Sequence, residues 1–80
     1  MDVHGSARKH GVDERDIRHA VEHAMVIEEL DDDACLFLGP SRNGAPLEAV
    51  ALIRDDGSLL VIHAMPMRAK YQALLPGETP

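Results

Sequence analysis

Ile17, Ala20, Val21 and Ala24 recur at helical spacing and form one apolar stripe, which predicts a helix over residues 14 to 25. Asp13 suits its N-cap, and Glu14 and Asp16 put negative charge in the first turn, where the helix dipole favours it. Ahead of it, residues 3 to 10 read as a short first helix or a frayed arm closed by Gly11. After residue 25 the period changes. Val26 and Ile27 are β-branched, and Asp31, Asp32 and Asp33 separate two short apolar runs, so residues 25 to 30 and 34 to 38 are expected to pair as a hairpin. A loop from Gly39 to Pro46, with Asn43-Gly44 inside it, leads to a strand over 47 to 54.

Asp56-Gly57 lies between the apolar runs 47 to 54 and 59 to 64 and is favoured in two-residue hairpin loops. That loop would place Ile53, Ala51 and Ala49 beside Leu60, Ile62 and Ala64 on an apolar face suited to the helix. Val50, Leu52 and Val61 would join Glu48, Arg54 and His63 on a mixed face. Pro66 starts a short closing helix through Met67, Ala69, Tyr71 and Leu74, and residues 75 to 80 read as a disordered end. The expected architecture is therefore α+β: one or two N-terminal helices on an antiparallel sheet of about four strands, with a short C-terminal helix. So little helix cannot cover both sides of a sheet, which predicts a homodimer or a dedicated partner over the mixed face.

The 80 residues fit a single domain with a small core. One cysteine, Cys35, excludes an internal disulfide and favours a reducing, cytoplasmic setting; its strand position makes it a small core hydrophobe. No apolar run is long enough to span a membrane. The net charge of -6 and the scarcity of aromatic residues disfavour a free-standing or non-specific single-strand nucleic-acid binder. The charge is nevertheless unevenly spread. Acids crowd into residues 28 to 33, whereas Arg8, Lys9, Arg15, Arg18, Arg68 and Lys70 form basic groups elsewhere, which predicts a dipolar molecule.

His19, Glu22 and His23 spell H-x-x-E-H, a zinc-protease pattern, but all three lie off the apolar stripe, so the expectation is solvated surface with neither metal nor cofactor. His63 is the better chemical candidate. It ends the last strand close to Glu48 and precedes a helix start with Arg68, Lys70 and Tyr71. An imidazole to move protons, cations for phosphate oxygens and a phenol form a minimal site for cleaving RNA through its own 2′-hydroxyl.

The stretch Lys9-His10-Gly11-Val12, the following helix, the paired strands, and the run from Leu59 to His63 into Ala64, Met65, Pro66, Met67, Arg68 and Tyr71 resemble the BrnT toxin family. They also resemble related small domains of the RelE/ParE-like toxin superfamily. The resemblance covers about residues 4 to 72, with K-H-G-V its most recognisable piece. It departs at the start, where no opening strand is read, and in a closing segment with fewer arginines. It implies a ribonuclease component of a bacterial type II toxin-antitoxin system, neutralised by an antitoxin protein and acting on RNA. His63, His10 and Tyr71 would then be the catalytic candidates, and Arg68, Lys70 and Lys9 the phosphate contacts. The rival expectation is a non-enzymatic interaction module on a degenerate toxin-like fold.

Overall fold

In the computed structural model, which describes residues 1–76, Asp13 caps helix α1 (Glu14–Glu22) by accepting a hydrogen bond from the Arg15 amide at 2.8 Å. The helix is shorter than its apolar stripe suggests. Strand pairing takes over early, because the Met25 amide donates to the Leu38 carbonyl at 2.8 Å. Strands β1 (Asp2–Val3), β2 (Val26–Glu29), β3 (Ala34–Pro40), β4 (Pro46–Ile53) and β5 (Leu59–Pro66) form one sheet in the order β1-β5-β4-β3-β2. The class is α+β, as the pattern predicted.

The sheet has five strands and is mixed, because β1 pairs with β5 in parallel, Asp2 beside Leu60 and Val3 beside Val61. A two-residue strand leaves no periodicity to read. Residues 2 to 8 are not frayed: the His4 amide donates to the Val61 carbonyl, and a 3-10 turn (Gly5–Arg8) buries Ala7 completely.

The hairpin of β2 and β3 follows the expected pairing, with Asp32 and Asp33 at φ 61° and 58° in its turn. Aspartate tolerates this left-handed region better than most residues. The hairpin of β4 and β5 forms, but its loop holds three residues instead of two. The Arg54 amide donates to the Ser58 carbonyl, and Gly57 takes φ 86°. A turn followed by a left-handed glycine is the usual geometry of such a loop. This shifts the register near the loop by one, so Leu52 pairs with Leu60 and Ala51 with Val61. A bulge then restores it, and Val50 pairs with His63 as expected. Val61 therefore points to the helix side and leaves the mixed face to which the two-residue loop would assign it.

The core on the helix side is built from Ala7, Ile17, Val21, Cys35, Phe37, Ala49, Ala51, Val61 and Ala64. Full burial of Ile17 contributes about 2 kcal/mol of hydrophobic stabilisation. Gly39 makes the close approach possible, because a Cβ there would lie 2.1 Å from the Ala20 carbonyl oxygen. On the opposite face Leu36, Leu38 and Glu48 are buried, whereas Val50, Leu52 and Leu60 are half-buried.

Pro66 ends β5 and does not open a helix. The chain then turns back, with Met67 donating to the Pro46 carbonyl at 3.0 Å, into a 3-10 turn (Ala69–Leu74). An α-helix does not form there. Arg68, at the cap position, makes no side-chain cap, since a guanidinium has no acceptor for the first-turn amides; it donates to Glu48 instead. The disordered end expected over 75 to 80 falls largely on residues 77 to 80, outside the described residues. No helix among the described residues is long and apolar enough to cross a membrane.

Candidate active site

Glu48 occupies the middle of the sheet, with Leu38 of β3 and Met65 of β5 as its cross-strand partners, and its side chain is fully buried. A carboxylate there must be paired. One oxygen, Oε1, accepts from the Arg68 amide and from Arg68 Nε, both at 3.0 Å. The other, Oε2, accepts from Arg68 Nη2 at 2.7 Å and pairs with His63 Nε2 at 3.0 Å. Four partners match the acceptor capacity of a carboxylate. Burial alone would push the Glu48 carboxyl upward, but the hydrogen bonds from Arg68 and His63 and the arginine charge outweigh it and hold the group at about 2.

That pairing fixes His63. Because Glu48 is ionised near neutrality and can only accept, Nε2 of His63 carries the hydrogen, and Nδ1 is the atom left to exchange a proton with a substrate. The His63 side chain is 26% exposed, enough to be reached while still held from behind.

His10 lies against this imidazole, edge to face, with ring centroids 5.7 Å apart and planes at 77°. Local structure puts it there. Ser6 Oγ donates to the Ile62 carbonyl at 2.7 Å and pins the 3-10 turn to β5. The Gly11 amide closes the turn on Arg8, and Gly11 takes φ 78°, a left-handed conformation that suits glycine at the exit. Tyr71 stands beside Arg68, whose Cζ is 5.7 Å from the ring centroid, and Lys70 Nζ lies 5.0 Å from the same centroid.

Five of the six residues singled out from sequence thus join one constellation: His10, His63, Arg68, Lys70 and Tyr71. Lys9 does not join it. It is the exposed cap of the turn, one residue before His10, and its side chain makes none of the hydrogen bonds, ion pairs or ring contacts that link the other five. Arg68 differs from its expected role, since Nε and Nη2 serve Glu48 and only the rest of its fork faces outward. The group missing from the sequence reading is Glu48 as the organiser. Its signal was a lone acid inside the run Leu47 to Ile53, where an unpaired charge would be costly.

His19 and His23 lie side by side, ring centroids 4.2 Å apart, but among the described residues no three candidate ligands converge. His19 is not simply solvated, because it is half-buried with Nδ1 2.8 Å from the Pro40 carbonyl, tying α1 to β3. Cys35 is a buried free thiol at the floor of a cleft lined also by Glu29, Leu30, Asp33, Ala34 and Ile53.

A family model described as a domain of unknown function, DUF4258, matches residues 5–66. No curated protein and no solved structure matches the chain. The matched stretch runs from the first 3-10 turn to the end of β5 and includes His10, Glu48 and His63, and the chain belongs to the DUF4258 family.

Proposed function

We propose that this protein is a metal-independent endoribonuclease, toxin-like in role, that cleaves RNA by attack of the 2′-hydroxyl on the adjacent phosphodiester. The observation that carries the reading is the edge-to-face approach of His10 and His63 at 5.7 Å, with Glu48 fixing the tautomer of His63. His63 Nδ1 takes the 2′-hydroxyl proton as that oxygen attacks phosphorus. Protonated His10 donates to the departing 5′-oxygen, leaving a 2′,3′-cyclic phosphate and a 5′-hydroxyl. Lys70 and the outward part of Arg68 stabilise the charge on the phosphoryl oxygens, and Tyr71 holds both cations near the reacting group. The placement within a toxin-antitoxin system, with an antitoxin partner, rests on the resemblance of Lys9-His10-Gly11-Val12 and of the segment after β5 to the BrnT family.

The test is cleavage of a short RNA by purified protein in EDTA, with the product ends identified. Cyclic phosphate and 5′-hydroxyl ends, and no cleavage of the DNA of the same sequence, are expected. An intact RNA, EDTA-sensitive cleavage or 5′-phosphate products would refute the mechanism. Growth arrest on expression, lost in His63→Ala, tests the toxin role separately.

The engagement of Arg68 by Glu48 favours a second reading, because it neutralises the cation nearest His63. In that reading the chain is a non-enzymatic interaction module, a homodimer or the subunit of a dedicated complex, using the half-buried Val50, Leu52 and Leu60 face. Protein that leaves RNA intact yet sediments as a dimer would favour it.

A further inference from the structure

The β2 edge of the sheet is open, and its apolar side chains have no cover. Ile27 is 62% exposed, Met25 and Leu30 flanking β2 are exposed as well, and so is Ile53 of β4, which lines the cleft with Leu30. The Leu30 amide bonds to the Ala34 carbonyl, so by the alternation of an antiparallel ladder Ile27 and Glu29 turn their N–H and C=O groups outward. Their side chains lie on the helix side, opposite Phe37 and Cys35, beyond the reach of α1 and next to the cleft floored by Cys35. An unpaired edge with exposed apolar residues is a template for another strand.

Charge decides which strand fits. Glu28, Glu29, Asp31, Asp32 and Asp33 line this edge and its turn, and residues 24 to 41 contain no lysine, arginine or histidine. Every arginine of the chain is paired elsewhere, with Glu14, Asp13, Asp16, Asp2 or Glu48, and among the described residues none of the five edge acids has an ion pair. A second copy would bring five more uncompensated acids against these, and like charges across a strand pair are unfavourable.

We propose that β2 is a docking edge for an extended, basic segment of a partner protein, which adds a sixth strand, places apolar side chains over Ile27 and the cleft, and pairs Lys or Arg with the acidic rim. This surface is independent of RNA cleavage, since it lies at the opposite edge of the sheet from β1 and β5.

The probe is a labelled peptide of about ten residues alternating valine and lysine, long enough for one strand, added to the full chain and followed by NMR. Saturable shifts centred on the Ile27 and Glu29 amides are expected. Binding should weaken about tenfold or more when glutamate replaces lysine, when alternate peptide amides are N-methylated, or in Ile27→Pro. The methylated peptide needs no altered protein, so the result does not depend on a variant folding. Equal binding of the methylated or the acidic peptide, shifts centred elsewhere, or no saturable binding would overturn the proposal. So would a dimer in sedimentation that Ile27→Pro dissolves, which would assign the edge to a second copy.

Discussion

Glu48 ties together chemistry and stability, since one buried carboxylate holds the imidazole of His63 from below and the closing segment through Arg68. Glu48→Ala should destabilise the fold by about 2 kcal/mol in urea denaturation, below the full cost of breaking a buried pair because Arg68 is half-exposed and can turn to water. The acid dependence has a definite sign. The carboxyl titrates near 4.5 in the unfolded chain and at about 2 in the fold, so the folded state binds fewer protons between those values. Its stabilisation is present above about 5 and is lost as pH falls from 4.5 towards 2. Glu48→Gln should flatten that part of the stability-pH curve, and an unchanged curve would show that another group governs acid unfolding.

At the scale of elements, the contact of α1 with β3 depends on a missing side chain. Gly39→Ala would press a Cβ into the Ala20 carbonyl, a backbone atom that cannot swing aside. The expected loss is about 3 kcal/mol, measurable by thermal or urea unfolding, because overpacking shifts the whole helix. Near-native stability would mean that α1 is free to ride over the sheet. The helix and both hairpins were legible in the sequence because Ile17, Val21 and the paired apolar runs carry clear periods. The register of the second hairpin was not. Leu59, Leu60, Val61 and Ile62 are four consecutive apolar residues, so nothing in their polarity tells which pair faces the helix. A three-residue loop and a compensating bulge leave no mark in such a run. The site was legible in its members for a different reason: His63 had to fall in the second half of β5 and Arg68 just past the strand, although β5 runs three residues beyond His63, to Pro66, instead of ending at the imidazole. The approach of His10 depended on the turn Gly5–Arg8 docking on β5 through Ser6, a contact made 56 residues apart.

Across the whole molecule the charge is polarised. Five acids without ion pairs among the described residues occupy the β2 edge and the turn at one end of β3, whereas Glu48, His63 and the basic closing segment lie towards the other end of the sheet. A net acidic protein with only Lys9, Lys70 and part of Arg68 available to phosphates should hold RNA weakly. Its log-log dependence of KM on salt should have a slope of about 2 in magnitude, following about 0.7 per phosphate neutralised on a single strand. A much steeper slope would require basic residues other than these. The pairing of His10 with His63 is tested most directly by a double-mutant cycle on single-turnover RNA cleavage in EDTA. His10→Ala and His63→Ala should each slow cleavage about 100-fold or more, with the double variant slowed by much less than the product of the two, as for groups acting as one unit. Single variants that cleave at the wild-type rate would contradict the assignment of this pair as the acid and base.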